Sequence, residues 1–389
     1  MLRAPEFGIF PGCATAVGRL GRGPLIEGLR GRSCVLSRLT VRNFRNLAAL
    51  DLELPSRGIV LIGANGQGKT NLLEAVYYLV LFRSFRGAKD RELVRFGEEG
   101  FFLGADVQAD RLTAGYDATR REKKVTSDGK PVGRLSDVVG RFLAVTLSPA
   151  DRALVAGGPA ERRRYLDVLL SLSAPGYLEA LSALRAALRQ RNAALRAGKQ
   201  RAAWAFDAPF ATAAAAVATA RIAWVNDMRD RFATRCHELG EAAAPAMTYQ
   251  AHRGTAVTAD EQEYALAAHR ERDLKRGTTT VGPHRDELRL TLDGRETRRV
   301  GSAGQQRTAA VAMRLLEAAS LTAAAGTAPV ALFDDVFAEL DTERQGRLLR
   351  VIEETLPGQA IVTAPRASEV PAALSDRPRW TIAGGAIAR

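Results

Sequence analysis

The stretch GANGQGKT, Gly63 to Thr70, fills every fixed place of the pattern GxxxxGK[ST]. It closes the apolar run GIVLIG and opens onto NLLEAVYYLVLF, so the order is strand, glycine loop, helix, the setting in which that pattern holds phosphate. The residue types follow from the chemistry. Backbone N–H groups of Gly63, Ala64, Asn65, Gly66, Gln67 and Gly68 can curl around phosphate oxygens, Lys69 brings a point charge to the β- and γ-phosphates, and Thr70 offers a hydroxyl to Mg²⁺. An ordinary strand-to-helix turn has no need of that full set. The stretch therefore reads as an ATP or GTP site.

A nucleotide site of this kind needs carboxylates, and VALFDD, Val330 to Asp335, supplies two at the end of an apolar strand. Asp334 is expected to hold Mg²⁺ through water and Asp335 to polarise the attacking water, as strands of such sheets deliver their carboxyl ends to the ligand. A strand ending in a solvated acidic turn is the plain alternative. Aspartate is a shorter arm than glutamate in the second place, so hydrolysis is expected to be slow.

A second glycine-punctuated turn stands earlier, in GSAGQQRTAAVAMRLLEAA, Gly301 to Ala319. Ser302 stands where an N-cap belongs, Gly304 lets another backbone or ligand approach, and a helix running from Gln305 aims its positive end at whatever lies before it. It is an anion site without a lysine. Alone it would equally be a well-capped helix.

The rest of the chain frames these motifs. Leu50, Leu52 and Leu54 alternate with Asp51 and Glu53, and the short alternating runs between Phe101 and Leu147, with a turn at Asp128-Gly129, suggest an antiparallel wing. From Ser148, a plausible N-cap before Pro149, the chain reads as helix over 160–172, 175–198, 208–240 and 260–275. Strands return with Leu288, Leu290 and Leu292, then VALF, a helix from about Asp341 to Glu354, and AIVT. The expected fold is α/β: a P-loop head with a parallel core sheet and an antiparallel wing, plus an inserted helical lobe. Its expected divisions are a head part over 35–148, the lobe over 149–276 and a second head part over 277–389. Residues 1–34 read as a disordered extension or a start placed too early.

Lys and Arg number 56 against 43 Asp and Glu, a net charge of +13 that favours polyanions. Within 151–200 nine basic residues face four acidic ones, so Arg162, Arg163, Arg189 and Arg191 are candidates for DNA contact, with a solvated helix face as the plain alternative. No apolar run approaches the roughly 20 residues of a membrane span, and a soluble globular protein is expected. The three cysteines lie far apart without metal spacing and suit a reducing cytoplasm.

Walker A loop, helical insertion, Ser-x-Gly-Gln, acidic strand end and then AELD, Ala338 to Asp341, follow one another in the order of an ABC-type ATPase head. The sequence also resembles the RecF family through LTVRNFRNL (39–47), RSFR (83–86), LSPAD (147–151), RRRYLD (162–167), RQRN (189–192), GPHRDEL (282–288) and GQQR (304–307). The extension, Gly301 and Ala303 depart from it. The resemblance implies that Ser302, Gly304 and Gln305 reach, in trans, the γ-phosphate of ATP held by a second copy, and that Asp341 belongs to the D-loop. It places Phe44 and Arg45 near the nucleotide edge, although a strand residue and a solvated charge read as well. His284, Arg285 and Asp286 read as a structural polar cluster.

What the resemblance implies for function is a cytoplasmic, nucleoid-associated DNA repair and replication ATPase. It would be an ATP-dependent homodimer closing on duplex, gapped, junction or single-stranded DNA. With mediator proteins it would help load recombinase and support the SOS response, and its ATPase would be weak and DNA-stimulated. The ATPase subunit of a membrane transporter is the alternative that the ABC motifs alone would allow. A P-loop kinase would leave the Ser-x-Gly-Gln helix without a task.

Overall fold

The structure, a computed structural model, describes residues 34–389 apart from 109, 253–256 and 339–340. The expected extension over 1–34 therefore lies, but for Cys34, outside the described residues, as do Glu339 and Leu340 of AELD. From the amino terminus the strands are β1 (Leu36–Phe44), β2 (Leu47–Glu53), β3 (Gly58–Ile62), β4 (Gly100–Val107), β5 (Asp110–Asp117), β6 (Glu122–Ser127), β7 (Lys130–Pro131), β8 (Ala144–Leu147), β9 (Pro245–Gln250), β10 (Glu287–Leu292), β11 (Arg295–Glu296), β12 (Val330–Asp334), β13 (Ala360–Ala364), β14 (Arg379–Ala383) and β15 (Ala386–Ala388). The longer helices are α1 (Lys69–Leu81), α2 (Pro159–Ser173), α3 (Tyr177–Arg196), α4 (Asp207–Glu238), α5 (Ala259–Ala268), α6 (Ala303–Ala325) and α7 (Thr342–Thr355).

The central sheet has the order β15-β14-β3-β13-β12-β8, parallel except for the edge strand β15. Its three central strands are largely buried: β3 and β12 are each buried at their first four positions and β13 at every position, as a sheet covered on both faces requires. A second sheet, β2-β1-β4-β5-β6-β7, is antiparallel and forms the expected wing. The α/β head with a parallel core, a wing and a helical lobe is thus present.

Two segments fold differently from their reading. Ala144–Leu147, expected in the wing, forms β8 of the core, because AVTL is buried on both faces and carries no alternation to mark it. Inside the expected helical lobe, in the gap between the helices expected over 208–240 and 260–275, Pro245–Gln250 forms β9 and pairs antiparallel with β10. Pro245 by itself suggests only a break. The side chains after it alternate between buried and exposed, and the partner that makes them a strand comes some forty residues later.

The stretch Gln200–Glu238 and helix α6 are each long and apolar enough to cross a membrane by length and composition. Half of the first apolar window and 61% of the second are buried inside the protein, which marks both as core helices. Helix α6 packs on α2 and α4. Its grip on them is polar as well as apolar: the Tyr165 hydroxyl donates to the Met313 carbonyl (2.6 Å) and Trp224 Nε1 donates to Ser320 Oγ (2.9 Å), while Arg314 ties α6 to Asp151 in the turn before α2 (2.6 Å) and pairs with the buried Glu317 of α6 itself (2.7 Å). Tyr165→Phe removes only the first of these. It is expected to cost about 1–2 kcal/mol, a drop of a few degrees in thermal midpoint by calorimetry, and an unchanged midpoint would remove this bond from the joint.

Candidate nucleotide site and DNA-facing surface

Parallel strands bring their carboxyl ends to one edge of the sheet, and β13 is the only strand between β3 and β12. The glycine loop after β3 and the carboxylates after β12 therefore meet. Gly66 and Gly68 hold φ of 79° and 115°, the left-handed values that let the loop curl, and α1 starts at once with Lys69. No acidic residue stands in the first turn of α1, so its positive end is free to meet an anion. Lys69 is buried; its Nζ donates to the carbonyls of Gly63 (2.7 Å) and Ala64 (3.3 Å) and lies 3.5 Å from Asn65 Oδ1 and 3.7 Å from the Asp335 carboxylate.

The Thr70 hydroxyl lies 2.8 and 2.9 Å from the two carboxylate oxygens of Asp334. Burial pushes the Asp334 carboxyl above the usual carboxylate range, and the Asp335 charge adds to this while the Thr70 and Thr363 hydroxyls and Lys69 oppose it. Asp335 sits at φ 49°, rare for a residue with a side chain, so the chain turns sharply directly after β12. Its N–H donates to Thr363 Oγ1 (3.0 Å), and that hydroxyl lies 3.0 Å from a carboxylate oxygen of each aspartate. Sequence reasoning missed Thr363. It stands next to last in an unremarkable strand, and only the register that sets it opposite Asp334 reveals it.

The other glycine turn is built as expected. Ser302 caps α6, its Oγ accepting from Gln305 N–H (3.2 Å) while its own N–H donates to Gln305 Oε1 (3.0 Å). Gln305 Nε2 donates to Glu241 Oε1 (3.1 Å), a partner from the loop after α4 that the sequence did not suggest. Ser302 is exposed. Asp341 is exposed too and caps α7, accepting from Arg344 N–H (2.8 Å).

Comparison with known proteins carries this arrangement to a family. The family model described as "RecF/RecN/SMC N terminal domain" matches residues 35–377. A curated relative, the "DNA replication and repair protein RecF" of Anaeromyxobacter sp. (strain Fw109-5), is 39% identical over 366 residues, which are 90% of this chain and 97% of the relative. The chain belongs to the RecF family. The relative of the same name from Salinibacter ruber (strain DSM 13855 / M31) is 36% identical, over 88% of each chain. Among solved structures, "Structure of the recombination mediator protein RecF-ATP in RecFOR pathway" has a TM-score of 0.83 at 29% identity, covering 91% of this chain and 97% of that one. A head of the SMC type shares the fold, with a TM-score of 0.51 at 13% identity. The transporter alternative is not favoured: these relatives are DNA replication and repair proteins.

Several RecF-like motifs prove to be internal struts. Phe44 is wholly buried against Tyr78 and Phe101, and Arg45 pairs through Nε (3.0 Å) with the buried Glu74 of α1. Phe44 is the strand residue of the alternative reading, the last of β1, whereas Arg45 is paired rather than a solvated charge, and both brace the helix behind the glycine loop. In GPHRDEL, His284 Nε2 lies 3.1 Å from the Thr279 carbonyl, and burial pushes its imidazole down to about 4. Asp286 accepts from the Tyr249 hydroxyl (2.7 Å) and the His252 N–H (2.8 Å). This is the structural cluster expected.

Two of the DNA candidates are corrected. Arg162 is 4% exposed: its guanidinium forks onto Glu287 (2.7 and 3.2 Å) and donates to the carbonyls of Leu154, Val155 and Gly157. Arg191 is fully buried between Asp207 (2.8 Å) and Asp273 (2.7 Å). Local charge excess counted them as surface. Their helices turn them inward to carboxylates distant in sequence, where a buried charge must be paired. Arg163 is half-buried and donates to the Asp286 carbonyl (2.9 Å), while Arg189 is exposed.

Proposed function

We propose that this RecF-family chain is an ATP-driven switch of DNA repair and replication. Two copies hold ATP between them, each nucleotide lying on the Walker A loop of one copy, Gly63–Thr70, and under the Ser302, Gly304 and Gln305 turn of the other. The closed dimer clamps duplex DNA at gaps or junctions, and mediator proteins use it to load recombinase. Slow hydrolysis, with Asp335 orienting water, reopens it. Such a protein works in the cytoplasm, at the nucleoid.

The observation that carries this reading is the split between a lysine-bearing phosphate loop and an exposed, capped helix end without a lysine. Ser302 and Gln305 satisfy each other and Gln305 also donates to Glu241, so the turn holds its own shape. A ligand must be brought to it. The Thr70 hydroxyl and the Asp334 carboxylate are the hard oxygen donors that Mg²⁺ selects, and they stand side by side. Mg²⁺ bound there would offset phosphate charge, Lys69 would meet the β- and γ-phosphates, and Asp341 would line the facing subunit as its D-loop.

DNA would lie along the lobe. Arg185, Arg189 and Arg196 are exposed and fall on one face of α3, four and seven residues apart. They suit phosphates, which give affinity without sequence preference. Sedimentation with and without ATP and duplex DNA tests the switch: a monomer is expected without nucleotide and a dimer with ATP. If ATP leaves the chain monomeric even on DNA, the clamp is wrong. In the same assay Arg189→Ala with Arg196→Ala should flatten the salt dependence of DNA binding by roughly 0.9 log units per log salt for each phosphate left without its arginine. An unchanged slope would place DNA elsewhere.

A further inference from the structure

The hairpin β14–β15 lies on the Walker A loop. Strand β14 runs parallel to β3 with Thr381 opposite Ile62, so its turn arrives beside the loop that β3 feeds. The turn is Gly384-Gly385, with φ of 58° and 83°, a two-residue hairpin of the kind that needs positive φ at both places. Its two N–H groups both go to Gln67: Gly384 N–H donates to Gln67 Oε1 (2.6 Å) and Gly385 N–H to the Gln67 carbonyl (2.9 Å).

A second donor reaches the same carbonyl from another direction. Asn46 Nδ2, in the turn between β1 and β2, lies 3.1 Å from Gln67 O, and its Oδ1 accepts from Asn71 Nδ2 of α1 (2.8 Å). The parts are closely fitted. A Cβ on Gly385 would stand 2.3 Å from the Asn46 carbonyl oxygen, and one on Gly63 would stand 2.5 Å from the Ile382 carbonyl oxygen. Neither glycine can take a side chain unless backbone moves.

The geometry points to a positioning role for this hairpin: Gly384, Gly385 and Asn46 fix the Gln67–Gly68 peptide in the orientation that binds nucleotide phosphate. The peptide is trans and planar, so holding the Gln67 carbonyl toward the hairpin turns the Gly68 N–H away from it. That N–H is one of the loop donors a phosphate requires, and Gly68, at φ 115°, has no side chain to hold its own conformation. Restraint from outside takes the place of that missing rigidity. Binding then does not have to order the loop.

The inference rests on the nucleotide reading above, and the test separates the two. The full chain, Gly385→Ala and Asn46→Ala are titrated with ATP in the presence of Mg²⁺ by calorimetry, with thermal midpoints and steady-state hydrolysis measured on the same samples. Both variants are expected to bind ATP about tenfold more weakly and to raise KM by the same factor, with kcat unchanged at saturation, the signature of lost uniform binding. Asn46→Ala inserts nothing between hairpin and loop, so it decides the matter should Gly385→Ala fail to fold. Parental affinity in Asn46→Ala, or a lowered midpoint with parental KM, overturns the positioning role. If the parent chain itself binds no ATP, the nucleotide reading fails.

Discussion

Lys69→Met should abolish measurable ATP hydrolysis and weaken ATP binding by roughly two to three orders of magnitude, with little change in the stability of the protein. The binding loss follows from the ligand side. Charge-assisted hydrogen bonds are worth about 1.5–3 kcal/mol each, and a lysine here would make two or more to the β- and γ-phosphates. The stability forecast follows from the protein side. The Lys69 side chain is 5% exposed, and the carboxylate of Asp335 is 3.7 Å from its ammonium. What steadies it is the carbonyls of Gly63 and Ala64 at 2.7 and 3.3 Å. Burying a charge is costly, and methionine fills similar space without that cost. The lost bonds and the relieved burial should nearly cancel. Calorimetric ATP titration beside a thermal melt checks both halves. Parental affinity would remove Lys69 from the site, whereas a melt lowered by about ten degrees would mean that the lysine serves the fold first.

The same contrast explains what the sequence disclosed. The glycine loop was legible because its residue types are set by local chemistry: a turn with positive φ at Gly66 and Gly68, a cation and a hydroxyl, all within eight positions. The cap on α6 was legible for the same reason, since Ser302 and Gln305 satisfy each other three residues apart. What stayed hidden depends on register and on long-range pairing. Thr363 matters because β12 and β13 align it with Asp334, and Gly384-Gly385 because β14 runs beside β3. Arg162 and Arg191 misled because an arginine on an amphipathic helix looks the same whether it faces water or a distant carboxylate. Only the folded chain supplies Glu287 to the one and Asp273 to the other.

Ser302→Arg should abolish ATP-dependent dimerisation while leaving ATP binding by the single chain intact. The cap it removes is one bond, Gln305 N–H to Ser302 Oγ at 3.2 Å, worth about 1 kcal/mol, so the fold should survive. The exposed position accepts a long side chain without disturbing the core, but in the proposed dimer that side chain would occupy the space through which the nucleotide of the second copy approaches. The Walker A loop of the same chain, with Lys69 held by Gly63 and Ala64, is untouched. The decisive measurement mixes this variant with Lys69→Met. Each alone has two incomplete shared sites. In a mixed dimer one site joins the intact Walker A loop of the Ser302→Arg chain to the intact cap of the Lys69→Met chain, and the other site carries both lesions. A two-fold dimer therefore regains one working site, and hydrolysis should recover to at most about half the parental rate per chain. Full hydrolysis by Ser302→Arg alone, or no recovery on mixing at concentrations where the parent dimerises, would rule out a site shared between two copies.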